Sequence, residues 1–471
     1  MDNFVMTDSL RAKASEKPTL NILFVSDNDS RSSIFRGETM IRSFVRFYER
    51  TCDVSYQIAP SSKLAKLTDT ELSQFNVVWL DNVSDYMAAI NFGGIIDRVT
   101  TNIDPDWKTK ATKLANDDKD AADKFLSDLI AKRREAIRII YALDEFVWGA
   151  PLGRAKELKR VQIIENLMDL SDTVVVPTNE LADLIQGVFK FTREDMDISV
   201  IPTSISPDFL PLYKNFMRTG DAGGIRKKPR VLIKGMMIPE NVQEFIMENF
   251  KKMDITICSV GEVNEHVLGL LHGKKVNHIM HWTHPHVNRR NMIDTLAIER
   301  DSGFDIVIHT MPKVVMKSGD SDEVKRHNFN ELAEKGYDIA VGDEDILFSI
   351  AYGAIPVCGT ERIEFSDDHI SKVSGYEFGI DTPAKYLRGV VTSLCDVPVK
   401  FNEVYAKCKA AIELRVSANP GVMGSYFATM VGPELMEARK ILMEEAKAKS
   451  NAESDGVHID SDLSFKSKET I

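Results

Sequence analysis

The chain has 471 residues, 43% hydrophobic and 28% charged, more than one core holds; two domains with an added helical piece are expected. A formal net charge of −12 argues against strong nonspecific binding to phosphate backbones, leaves a local basic patch open, and fits a small-molecule or saccharide substrate slightly better than a nucleic acid. No apolar run of about 18 residues predicts a membrane span, and the polar N-terminus shows no apolar secretory segment. Five scattered cysteines with no CxxC pair predict reduced thiols in a cytoplasmic compartment, that of the host if the source is viral.

Residues 1–18 predict a flexible leader. The apolar run TLNILFVSDNDS, Thr19 to Ser30, predicts a buried parallel strand ending in a polar loop. In FRGETMIRSFVRFYER, Met40, Ile41, Phe44, Val45 and Tyr48 recur at helical spacing. Further strands are predicted at CDVSYQIA, at FNVVWLDNV (Phe75 to Val83), at AIRIIYALDEFVW (Ala136 to Trp148), at the start of DTVVVPTNELADLI (from Asp172) and at ISVIPTSI (Ile198 to Ile205). The segment from about Tyr86 to Glu135, with its charged DDKDAADKFLSDLIAKRREA, breaks the alternation and predicts a helical insertion, either a lid or acceptor arm or a solvated elaboration. The Gly-rich, basic stretch at Asn215 to Arg230 predicts a linker. Alternation then restarts, with strands at RVLIKGM, DITICSVG, VNHIMHW, FDIVIHTMP and AIPVCG, and helices at PENVQEFIMENFKK and NRRNMIDTLAIERD.

Two α/β domains with doubly wound parallel sheets follow from this rhythm. The expected bounds are a first domain over 19–214, a linker over 215–229, a second domain over 230–430, a terminal helix over 431–449 and a disordered tail over 450–471. Ligands bind outside the carboxyl ends of such strands, so the site is expected in the cleft between the domains.

In this order the segments resemble those of GT-B glycosyltransferases, in particular the retaining glycosyl-transferases-group-1 type and a phage-like subgroup within it. ILFVSDND…SIFRGETMIRSF is similar to the first strand, loop and helix, with Arg36 where an Arg is often found. RIIYALDEFVWGAP is similar to a segment carrying an acidic pair, here Asp144 and Glu145. LMDLSDTVVVPTNELADLI and ISVIPTSIS resemble the later strands, the second with Thr203 in place of the usual Asn. RVLIKGMMIPENV resembles the opening strand of the donor domain, and DITICSVGEV the strand and glycine after it. The family's donor motif, two Glu separated by seven residues, is degenerate. Setting Gly353 on its glycine puts Ala340 and Phe348 at the two Glu positions. Lys234 precedes Gly235 where the family has an Arg after the glycine, and Asp343, Glu344 and Asp345 bring negative charge close by.

The resemblance implies a glycosyltransferase moving a hexosyl or pentosyl unit from a nucleotide sugar, most simply a UDP- or GDP-sugar, to a saccharide or other hydroxyl acceptor with retention. No obligatory cofactor is implied. Strand-end carboxylates orient or deprotonate an acceptor, so Asp144, Glu145 and Asp27 are the catalytic candidates, against a reading as turn and helix caps. Asp29 and Arg36 are the acceptor candidates. A leaving diphosphate needs positive charge, so Lys234 and Arg289, beside Arg290, are donor candidates. Gly235 and Gly261 join them, with Trp282 and His284 as a stacking platform for the base and Glu344 or Glu361 as substitutes at the ribose. HIMHWTHPH fits no zinc template, so no metal is predicted. Two rivals stand beside this reading: a GT-B relic that binds saccharide or serves structure without transfer, and a transferase acting on modified bases of viral DNA, which the acidic charge disfavours.

Overall fold

The computed structural model describes residues 8–26, 39–81, 83, 86–143, 145–146, 155–189, 197–205, 228–235, 238–260, 269, 276–281, 297–310, 339–340, 344–359, 370–379, 381–415 and 419–456. The first half supplies strands β1 (Thr19–Ser26), β2 (Asp53–Ala59), β3 (Val77–Asp81), β4 (Arg138–Ala142), β5 (Glu145–Phe146), β6 (Thr173–Val176) and β7 (Asp197–Val200). Six of them form one sheet in the order β2-β1-β3-β4-β6-β7, parallel throughout. The second half supplies β8 (Arg230–Lys234), β9 (Asp254–Val260), β10 (Asn277–His281), β11 (Ile306–His309), β12 (Ile339–Ala340), β13 (Ile355–Gly359) and β14 (Glu377–Phe378). Its sheet runs β10-β9-β8-β11-β13-β14, again parallel throughout.

The central strands are largely apolar and buried along their whole length because helices cover both faces. Val77–Asp81, Thr173–Val176, Ile306–His309 and Ile355–Gly359 are buried at every residue. The fold is the expected α/β one: two Rossmann-like parallel-sheet domains with a helical insertion in the first. Three helices, Tyr86–Ile103, Trp107–Asp117 and Lys119–Ala136, make up the insertion between β3 and β4. It is tied to the sheet by a buried ion cluster. Arg133 Nη2 donates to Asp172 Oδ1 at 2.7 Å, Arg134 Nε donates to the same oxygen at 2.9 Å, and the backbone N–H of Ile139 donates to Asp172 Oδ2 at 2.9 Å.

The chain returns to the first sheet earlier than the expected boundary at 430. Helix Pro420–Val431 places Val422, Met423, Phe427 and Met430 in one core with Leu20, Ile22, Phe24 and Trp79. Tyr426 stacks on Trp79 with ring centroids 5.3 Å apart, and Phe427 on Tyr48 at 5.0 Å. Arg138 Nε donates to the Thr429 carbonyl at 2.7 Å near the end of that helix. Two other expectations change. The leader contains a helix, Asp8–Ser15, whose Arg11 pairs with Glu445 on the C-terminal helix. That last helix, Pro433–Gly456, runs past the expected end at 449. The linker expected over 215–229 lies outside the described residues except for its last two positions. All five cysteines are free thiols. Among the described residues no helix is long and apolar enough to cross a membrane.

Candidate functional site

The strand order of the second sheet reverses between β8 and β11, because the chain builds outward on one side through β9 and β10 and then crosses to the other. A parallel sheet opens a crevice at such a reversal, beyond the carboxyl ends of the two strands. Lys234 and His309 are the last residues of those strands and are register partners. Gly235 and Thr310 follow them. The Thr310 backbone N–H donates to the Lys234 carbonyl at 2.8 Å, which draws the two chain exits together. A Cβ at Gly235, whose φ is +155°, would lie 2.0 Å from Thr310 Oγ1 and 2.4 Å from its carbonyl oxygen. Only glycine fits this close approach.

The Lys234 side chain is buried, 2% exposed, within a polar cluster. Its ammonium donates to Glu299 Oε1 at 2.9 Å and Oε2 at 3.0 Å. Glu299, on helical residues 297–302, is itself fully buried. Asp345 Oδ1 meets the same ammonium at 3.0 Å as an ion contact. Tyr352 donates its hydroxyl to Glu299 Oε2 at 3.2 Å, and the Cys258 thiol points at Oε1 from 3.7 Å. Burial, and next the Glu299 charge, hold the Tyr352 hydroxyl well above its ordinary 10.0, so it stays protonated as a donor. Ser349 Oγ donates to the Asp345 carbonyl at 2.7 Å and lies 3.0 Å from His309 Nε2.

Asp345, Ser349 and Tyr352 stand at i, i+4 and i+7, so helix Glu344–Ala351 and the turn after it turn one polar stripe toward the crevice. Phe348 points into the core of the second domain, 2% exposed. The residue at the family's second Glu position is therefore a packing residue in this chain.

The first sheet reverses between β1 and β3. Ser26 and Asp81 end those strands as register partners, and Ser26 Oγ donates to Asp81 Oδ2 at 3.3 Å. Both are buried. A two-residue antiparallel ladder joins the halves: Phe146 pairs with Ile339 and Glu145 with Ala340. Strand β5 is thus set against the segment preceding the helix of Asp345.

Of the residues expected at the site, Lys234 and Gly235 lie together at the second reversal, and the backbones of Glu145 and Glu344 are placed as above. Where the resemblance presents the Lys234 ammonium to a diphosphate, here it is turned onto Glu299 and Asp345. Asp27, Asp29, Arg36, Asp144, Gly261, Trp282, His284, Arg289 and Glu361 lie outside the described residues. Among the described residues, Glu299, Tyr352, Ser349, Asp345, His309, Ser26 and Asp81 also stand at the two reversals. Among the described residues no group of three or more His, Cys, Asp or Glu is arranged to hold a metal ion.

No family model and no curated protein matches the chain. Among solved structures it is similar to Anabaena Alr3699/HepE in complex with UDP and glucose, at 10% identity and a TM-score of 0.46 over 88% of this chain and 99% of that one. It is similar to a glycosyltransferase from Rickettsia africae ESF-5, at 11% identity and a TM-score of 0.44 over the same shares of the two chains, 88% and 99%. An alpha-glucosyltransferase in complex with UDP-glucose and DNA containing an abasic site gives 9% identity and a TM-score of 0.46, again over 88% and 99%.

Proposed function

We propose that the chain transfers a glycosyl unit from a nucleotide sugar, a UDP- or GDP-sugar, to a hydroxyl acceptor. The donor diphosphate lies at the β8–β11 reversal and the acceptor at the β1–β3 reversal. One observation carries this reading: a lysine, a glycine that tolerates no side chain, and a polar stripe on one helix all converge where a doubly wound sheet opens its ligand crevice. In the transfer the bond from the anomeric carbon to the diphosphate oxygen breaks, and a bond from that carbon to the acceptor oxygen forms. The acceptor proton passes to a carboxylate or to the departing phosphate. Negative charge grows on the leaving diphosphate, and Lys234 is the cation in the described part of the crevice that offsets it. Asp144, Glu145 and Asp27 face the acceptor in this reading, with Asp29 and Arg36 beside them, and retention follows from the resemblance. Gly261, Trp282, His284 and Arg289 hold the base and phosphates, with Glu344 or Glu361 at the ribose.

A second reading is favoured by two observations, the burial of Phe348 and the two carboxylates already on Lys234. In it the chain keeps the fold and binds saccharide without transfer. The test is a thermal-shift panel of UDP-, GDP-, ADP- and TDP-sugars, followed by an assay for released nucleoside diphosphate with a mixed saccharide acceptor pool. A native-state ligand must raise the melting temperature. Binding with turnover is expected. Binding with no released diphosphate over many hours would leave the relic, and no shift with any nucleotide sugar would sink the donor site.

A further inference from the structure

We propose that Asp345 is a placeholder anion: its carboxylate occupies the position on Lys234 that a donor diphosphate oxygen takes, so the donor binds by evicting it. The inference rests on the donor reading above and names the residue that sets how tightly that site holds a diphosphate.

The two carboxylates on Lys234 are not equivalent. Glu299 has a side chain 0% exposed, takes two hydrogen bonds from the ammonium and receives a third from Tyr352. Moving it would strand charge in the interior. The Asp345 side chain is 36% exposed, and its Oδ1 contact lies outside hydrogen-bond alignment although it is only 3.0 Å long. Its backbone is fastened separately, through Ser349 Oγ to the Asp345 carbonyl at 2.7 Å, so the carboxylate is withdrawn by rotating the side chain and not by moving the helix. Asp345 also sits in the first turn of helix Glu344–Ala351, where a carboxylate is favoured by the exposed backbone N–H groups after it has let go.

The charge count points the same way. Among the described residues, one ammonium faces two carboxylates. A diphosphate adds more negative charge and is repelled while both remain. With Asp345 turned outward, Glu299 stays on Lys234, and a phosphate oxygen takes the face that Asp345 vacated. Self-occupation of this kind weakens every anion at the site by the same factor and leaves the nucleoside part of the donor untouched.

Titration of the full chain by calorimetry with pyrophosphate, UDP, GDP, uridine and guanosine tests this in the wild type, Asp345→Asn and Asp345→Ala. The alanine variant guards against an Asn amide that itself occupies Lys234. The expected result is about tenfold tighter binding of pyrophosphate and of the preferred nucleoside diphosphate in the variants, with nucleoside affinity unchanged. A role confined to stability would move the melting temperature and leave the diphosphate-to-nucleoside ratio where it was. Equal or weaker diphosphate binding in folded variants overturns the placeholder and leaves the donor site standing. Absence of pyrophosphate, UDP and GDP binding in wild type and variants alike overturns both.

Discussion

Glu299→Gln tests the electrostatic account of the crevice most directly. The substitution keeps the shape of the side chain and removes the charge that takes two hydrogen bonds from Lys234, at 2.9 and 3.0 Å. Lys234 then stays buried with Asp345 as its counter-charge, and Asp345 is a third exposed and solvent-screened. Removing one member of a fully buried pair costs about 3–5 kcal/mol. The retained amide oxygen and the Asp345 contact recover part of this, so a loss of about 2–4 kcal/mol is expected. For a domain of this size that lowers its melting temperature by roughly 5–15 °C. Two domains with separate cores need not melt as one, so amide hydrogen exchange at β8 and β11 reads the second domain by itself. The double variant Lys234→Met/Glu299→Leu, which removes both charges, is expected to be more stable than Glu299→Gln alone. If Glu299→Gln matches the wild type to within about 0.5 kcal/mol, Lys234 is not held as a buried cation by Glu299 and the account fails.

Two further predictions concern parts of the fold that frame the site. Burial pushes the Cys408 thiol up from 9.0 to about 12 on helix Pro398–Leu414. Because the folded value lies above the unfolded one, the associated stability is intact below about pH 9 and is lost as pH rises toward 12, a span worth about 4 kcal/mol. Cys408→Ala should flatten the alkaline fall in urea midpoints across that window while lowering the neutral value by about 1–2 kcal/mol, and an unchanged alkaline slope would refute the assignment. Asp172→Asn should cost about 3–5 kcal/mol in chemical denaturation, because it leaves Arg133 buried with a neutral partner; a loss under about 1 kcal/mol would show that the ion cluster does not fasten the insertion.

The strand rhythm was legible because a parallel strand covered on both faces is apolar along its buried run, as residues 77–80 and 355–358 are. Two sheets and an insertion follow from reading such runs in order. The return of Pro420–Val431 to the first sheet was not legible, because an apolar helix does not state which sheet it covers. That choice is made by Tyr426 and Phe427 meeting Trp79 and Tyr48. The ladder of Glu145–Phe146 with Ile339–Ala340 is too short to leave a period. Glu299 stands among charged neighbours in AIERD and reads as a solvated helix face; only the burial of Lys234 identifies it as a counter-charge. Asp81 likewise ends a strand like many others, and acquires meaning when the sheet order puts Ser26 beside it at a reversal.

The helix DILFSIA and the tyrosine after it carried a signal that the alignment on Gly353 obscures. Alignment asks what stands at one position, and the answer, Phe348, suggests a lost function. Helical phase asks which positions face the crevice, and the answer is Asp345, Ser349 and Tyr352, all polar within an otherwise apolar segment. A packing helix has no use for three polar side chains on one stripe; burying them is costly unless partners are supplied, and here Lys234, His309 and Glu299 supply them. Phe348, three residues after Asp345 and four before Tyr352, borders that stripe and packs into the core. A group that grips a donor ribose in the proposed reading comes from the start of this helix at Glu344 or from a different element. A phenylalanine where the resemblance would place a Glu does not by itself decide between transfer and binding alone. The decision lies with the ammonium of Lys234 and whether Asp345 gives way to a diphosphate.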